Sequence, residues 1–97
     1  MAVRARYPDS VQARDAPFFL GSIAEAEKSD AASSEWYEVY LRESPSGAYA
    51  SQALGRKMVL AQRAQELDGA RAIAASYVAR FPDGPYAASA RKLLQSQ

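Results

Sequence analysis

ARFPDGPYA, residues 79–87, has a near copy at the other end of the chain in ARYPDSVQA, residues 5–13. A third proline lies midway between the two copies, so that Pro8, Pro45 and Pro82 stand at intervals of 37 residues. A proline that ends one helix and precedes the next recurs at the same point of each structural unit. This spacing therefore predicts units of 37 residues that are joined by the same turn.

The residues before Pro45 and before Pro82 carry the same helical periodicity. Apolar or small residues recur there at intervals of three and four, which is typical of one face of an α-helix. The two series are Ser33, Trp36, Tyr37, Tyr40, Leu41 and Ser44, and then Ala70, Ile73, Ala74, Tyr77, Val78 and Phe81. After the prolines the aligned positions are Ala13, Ala50 and Ala87, then Ala16, Ala53 and Ala90, and Phe19 and Leu20 with Leu93 and Leu94. We therefore predict an all-α protein.

The pattern predicts five helices, over residues 11–28, 31–43, 48–66, 69–80 and 85–95. Asp30 and Asp68 stand where N-caps belong, because a short carboxylate can accept hydrogen bonds from the first turn. Pro85 is expected at the first position of the last helix. Pro17 falls inside the first helix, so that helix is predicted either to kink there or to start late, with Asp15 as its cap.

The repeat also predicts how the chain is organised. Residues 1–97 are expected to form a single repeat domain. It begins with the end of a truncated preceding repeat at 1–8 and continues with repeats at 9–45 and 46–82 and a capping helix at 83–97. Because ARYPD matches ARFPD two periods later, the chain is expected to open on the last turn of a helix and to be a fragment of a longer repeat protein.

Composition excludes several classes of function. The chain has 97 residues, a net charge of +1, no Cys and no His. A nucleic-acid binder would usually carry a strong basic excess, and without His or Cys the commonest general base, thiolate nucleophile and transition-metal ligands are missing. No run approaches the roughly 18 apolar residues of a membrane helix. We therefore predict no catalysis, no cofactor, no metal, no nucleic acid and no membrane insertion.

EWYEVYLRESPSGAYASQA (residues 35–53) and ASYVARFPDGPYAASA (residues 75–90) resemble the tetratricopeptide repeat. They are similar to the bacterial branch of that family that includes the outer-membrane barrel-assembly lipoprotein and the Tol-Pal coordinator protein. The resemblance implies a right-handed superhelical stack of antiparallel helix pairs, an α-solenoid, with about two and a half repeats here. It also implies a groove lined by the first helix of each pair, and a location in the periplasm or cell envelope, with the cytoplasm as the alternative.

Charged residues replace apolar ones at one point of the predicted groove. Arg56 and Lys57 align with Phe19 and Leu20 in one unit and with Leu93 and Leu94 in the other. Together with Gln52 and Arg63 they form a candidate site that would grip an acidic segment or a C-terminal carboxylate. The alternative is that the apolar stripe of this helix has moved to Leu54, Met58, Leu60 and Ala61 and leaves the cations in water.

Two functions follow from these predictions. The first is a non-catalytic interaction module, or scaffold, that binds a peptide or a partner protein in the groove. The second is structural, in which the chain caps a longer repeat protein or self-associates through exposed repeat ends, because stacked units leave their end faces uncovered.

Overall fold

The computed structural model describes residues 11–95, with side chains from Arg14 onward. Over that range it contains five α-helices and no strand, which confirms the predicted all-α class. The helices are α1 (Val11–Ala26), α2 (Asp30–Glu43), α3 (Ala50–Arg63), α4 (Leu67–Arg80) and α5 (Ala87–Gln95). The truncated repeat expected at residues 1–8 lies outside the described residues. None of the described helices is long and apolar enough to cross a membrane.

The described chain divides between Ala50 and Ser51 into two compact units. The N-terminal unit contains α1, α2 and the turn that follows them, and the C-terminal unit contains α4, α5 and nearly all of α3. Local structure recurs between the units at the interval of the prolines. The bounds of α2 and α4 are 37 residues apart, as are the first residues of α3 and α5.

Helices α1 and α3 end in the same way, with a non-glycine residue in the left-handed conformation. Lys28 has φ of 63° and Gln65 has φ of 61°. The next residue in each case donates its N–H back across the end of the helix, Ser29 to the carbonyl of Ala24 and Glu66 to that of Ala61, as in a Schellman motif. This motif ends both helices earlier than the sequence predicts.

The predicted N-caps are wrong. Ser29 precedes α2 and Glu66 precedes α4, and neither makes a side-chain capping hydrogen bond. Asp30 and Asp68 already lie inside the first turns, where their negative charges interact favourably with the positive end of the helix dipole. Each Schellman motif leads directly into the next helix. As a result, α2 begins one residue and α4 two residues before its predicted start.

Pro17 lies inside α1, and its side chain is fully buried. The helix already runs from Val11, so a late start with Asp15 as its cap is wrong. Pro17 has no N–H and cannot donate to the carbonyl of Ala13, four residues earlier. Burial of its ring in the packed side of α1 offsets part of that loss.

The N-terminal unit is held by a close crossing of α1 and α2. A Cβ added at Gly21 would lie 2.7 Å from the ring of Tyr37, so only glycine gives that ring its room. The hydroxyl of buried Ser33 donates to the carbonyl of Gly21 at 2.8 Å, and the Tyr37 hydroxyl donates to Glu25 at 3.0 Å. Apolar contact and satisfied polar groups therefore fix this crossing together.

The C-terminal unit uses different residue sizes at the equivalent positions. Met58 and Ala74 stand 37 residues after Gly21 and Tyr37, and both are fully buried. The small residue is thus on the second helix here, whereas it is on the first helix in the N-terminal unit. Elsewhere in this unit, Gly55 leaves room for the ring of Tyr86, which a Cβ at that position would strike.

The turn that contains the repeated proline has the same geometry in both units. The buried hydroxyl of Tyr40 accepts a hydrogen bond from the N–H of Tyr49 at 2.9 Å, and that of Tyr77 accepts one from Tyr86 at 3.0 Å. Pro85 lies in this turn rather than at the first position of a helix, since α5 begins at Ala87. The predicted start at Pro85 is therefore wrong, because the tyrosine hydroxyl holds residues 84–86 as a turn.

Candidate functional site

Three of the four predicted site residues lie on one face of α3. Gln52, Arg56 and Arg63 follow one another at spacings of four and seven residues, which places them on the same side of a helix with 3.6 residues per turn. Gln52 and Arg63 are exposed, and Arg56 is half-buried. Val59, also half-buried, stands between the two arginines on this face. We call Gln52, Arg56, Val59 and Arg63 the basic stripe.

Lys57 does not belong to the basic stripe. It lies about 100° around the helix from Arg56 and is half-buried beside the apolar side of α3. That apolar side consists of the residues named by the alternative interpretation, since Leu54, Met58, Leu60 and Ala61 are all buried. The basic stripe therefore lies opposite the buried side of its helix.

Helix α1 exposes a pair of large apolar side chains that the sequence analysis did not single out. Phe19 is 47% exposed and Ile23 is 54% exposed. They are one turn apart, with Asp15 one turn before them and exposed Glu27 one turn after. We call Asp15, Phe19, Ile23 and Glu27 the acid-rimmed stripe.

Equivalent positions in the other repeats show that this exposure is local. Leu60, which corresponds to Ile23, is 3% exposed, and Leu93, two periods after Phe19, is 8% exposed. The pairing of Phe19 with Arg56 in the alignment was the available signal, because a position that accepts arginine in one repeat is not uniformly part of the core. In the sequence, that pairing points only to α3, where charge replaces an apolar residue.

The two units carry opposite charge. Residues 1–50 contain five Lys or Arg against eight Asp or Glu, a net charge of −3, and residues 51–97 contain seven against three, a net charge of +4. The near-zero total of the whole chain conceals this division. The acid-rimmed stripe thus lies on an acidic unit and the basic stripe on a basic one.

A cleft of about 460 Å³ opens in the N-terminal unit between the start of α1 and the turn after α2. Arg14 and Asp15 line one side and residues 43–48 the other. The Oγ of Ser44, within this lining, is buried and makes no hydrogen bond. The cleft has the size of a side-chain or ligand pocket, and its walls mix charged and polar side chains with apolar surface.

Tyr40, beneath the same turn, titrates above the ordinary range of tyrosine. Burial is the main cause that raises its pKa, and the negative charge of Asp15 raises it further, against a lowering by the hydrogen bond from Tyr49. Its hydroxyl is therefore neutral at physiological pH and acts as a structural acceptor. Among residues 14–95, no three carboxylates converge in a way that could hold a metal ion.

Comparison with known proteins adds no relative. Models of protein families, characterised proteins and solved structures were all searched, and none matches this chain.

Proposed function

We propose that this chain is a non-catalytic interaction module that holds an acidic peptide or the acidic segment of a partner protein on the basic stripe. The observation that carries the proposal is the gathering of Gln52, Arg56 and Arg63 on one face of α3, opposite its buried side. Arginine pairs with carboxylates in two-pronged hydrogen bonds, and a half-buried arginine does so with less competition from water. Lys57 lies next to the buried side of α3 and contributes charge rather than contact.

The proposed architecture behind this surface is a tetratricopeptide-like right-handed stack with α3 as the first helix of a pair. Its support is the recurrence of helix bounds, left-handed residues and tyrosine hydrogen bonds at 37-residue intervals. Repeats of this kind present first helices along a shared binding surface. By the same resemblance we place the protein in the periplasm or cell envelope, with the cytoplasm as the alternative.

Fluorescence anisotropy with labelled peptides tests the proposed binding. The probes are peptides rich in Glu and Asp with interspersed Leu, and matched peptides in which Lys replaces the acids. We expect the acidic set to bind and the Arg56→Glu, Arg63→Glu variant to lose at least about tenfold in affinity, since like charges then meet. The matched control is Arg80→Glu, Lys92→Glu, which changes the net charge equally on α4 and α5. Equal loss in both variants would show that only overall charge matters and would overturn the proposed site.

A second candidate function is structural self-association. The exposure of Phe19 and Ile23 favours it, because an apolar pair of this size on a helix surface is stabilised when another protein surface covers it. This second function is argued from α1, whereas binding of an acidic ligand is argued from α3.

A further inference from the structure

We infer that the acid-rimmed stripe of one copy of this chain docks on the basic stripe of a second copy. The inference rests on the proposed function, and it identifies the acidic partner as the N-terminal unit of another copy. It commits to a contact between two different surfaces, which closes into a ring or continues as an open chain.

Charge argues for this occupant. The surface to be covered belongs to a unit of net charge −3, and the same chain carries a unit of net charge +4. Two copies therefore bring an acidic and a basic surface together without any further partner. Such complementarity steers association and disfavours the alternative contacts of acidic unit with acidic unit or basic with basic.

The order of residues along the two stripes is also complementary. Asp15 on α1 and Glu27 just after the end of α1 enclose Phe19 and Ile23, and on α3 the bases Arg56 and Arg63 enclose Val59. The acids lie about 18 Å apart along the axis and the bases about 10 Å apart, at 1.5 Å per residue. Long arginine side chains span the difference while apolar surface meets apolar surface at the centre.

Sedimentation velocity of the 97-residue chain across the micromolar range tests the contact. We expect association that strengthens with concentration and weakens at about 1 M salt, where charges are screened beyond ~3 Å. Replacing Phe19 and Ile23 by Ser should weaken association by at least about tenfold, since the apolar centre is lost. The control is Leu67→Ser, a side chain 48% exposed at the start of α4, which should associate as the wild type does.

A charge exchange makes the test specific to these two stripes. Asp15→Arg, Glu27→Arg alone and Arg56→Glu, Arg63→Glu alone should each fail to self-associate, with helical circular dichroism retained. Mixed together, the two variants should associate again, because the unchanged acid-rimmed stripe of the second variant meets the unchanged basic stripe of the first, and the exchanged stripes are complementary too. Glu27→Arg by itself serves if the half-buried Asp15 does not tolerate arginine.

The outcomes separate this inference from the proposed function. A wild-type chain that stays monomeric throughout, or a mixture that fails to associate although both variants are folded, overturns the docking of two copies. Either result leaves the acidic-peptide experiment unaffected. Failure of the wild-type chain to bind the acidic peptides, together with self-association that survives Arg56→Glu, Arg63→Glu, would instead overturn the basic stripe in both roles.

Discussion

The hydroxyl of Tyr40 accepts the N–H of Tyr49 across the proline turn, and 37 residues later Tyr77 and Tyr86 repeat the arrangement. A side chain near the end of one helix thus binds the backbone just before the next helix begins. Gly47 and Gly84 lie against these hydroxyls, and a Cβ at either position would collide with the tyrosine. Tyrosine, proline and glycine therefore act as one unit in each turn.

Gly47→Ala and Gly84→Ala should each destabilise the fold by about 1–3 kcal/mol, because the added methyl must displace a buried tyrosine hydroxyl. Chemical denaturation measures the change. Gly69→Ala is the matched control, since a Cβ there meets nothing within 4 Å inside α4 and should stabilise by roughly 0.5–1 kcal/mol.

The collision at Gly47 can be tested directly through its partner. Adding Tyr40→Phe to Gly47→Ala removes the atom that the methyl strikes, so the double variant should be less destabilised than the sum of the two single variants. Strict additivity would show that Gly47 is needed for a reason other than the hydroxyl.

Tyr40→Phe should cost about 1–3 kcal/mol at neutral pH, because the N–H of Tyr49 loses its acceptor. The folded-state pKa of Tyr40 is raised, chiefly by burial, so the stability that its neutral form contributes is present below the unfolded pKa of about 10. That stability is lost as pH rises through the folded pKa. Denaturation of both proteins between about pH 8 and about pH 11 should show the difference narrowing, whereas a constant difference would contradict the assignment.

Lys28→Gly and Gln65→Gly should each stabilise the protein by about 1 kcal/mol, since both residues adopt a left-handed conformation that costs a side chain roughly that amount. Thermal or urea unfolding detects the gain. Ala72→Gly, at an exposed position inside α4, should instead lose about 1 kcal/mol. A loss at Lys28 or Gln65 comparable to that at Ala72 would contradict the Schellman geometry.

Ser33→Ala should destabilise by about 1–2 kcal/mol, because it removes the buried hydrogen bond to the carbonyl of Gly21 and leaves that acceptor without its donor. The adjacent Ser34→Ala is the control and should change stability by less than about 0.5 kcal/mol. Hydrogen exchange of α1 amides, compared between the two variants, shows whether the loss is felt at the crossing. Equal effects in the two variants would rule out a special role for Ser33.

The presence of the helices could be predicted from the sequence, because the same helical spacing of apolar and small residues appears before both Pro45 and Pro82. The ends of α2, α4 and α5 at Glu43, Arg80 and Gln95 agree with the prediction, since Pro45 and Pro82 punctuate the first two. The ends of α1 and α3 could not be placed, because Lys28 and Gln65 take a conformation for which glycine is the usual signal. Asp30 and Asp68 are typical N-cap residues, and they therefore predicted the starts of α2 and α4 too late.

The candidate site was accessible to sequence reasoning only in part. Helical spacing places Gln52, Arg56 and Arg63 on one face of α3 and Lys57 on another. The alignment of the repeats does not make this distinction, because it marks Arg56 and Lys57 equally as charged residues at apolar positions. The exposure of Phe19 and Ile23 depends on which helices pack against α1. The spacing of apolar residues in the sequence does not give that packing. The charge division needed the boundary at Ala50, which follows from three-dimensional contacts.

Glycine on α1 stands against Tyr37 on α2, whereas the equivalent positions of α3 and α4 hold the buried Met58 and Ala74, so we expect each helix to pack best with its own partner. A chimaera that joined α1 to α4 would set glycine against alanine and leave a void. The reverse chimaera of α3 with α2 would force methionine into a tyrosine ring. Repeats that share a period are therefore not expected to be interchangeable parts, and side-chain volume should disfavour the pairing of helices out of order.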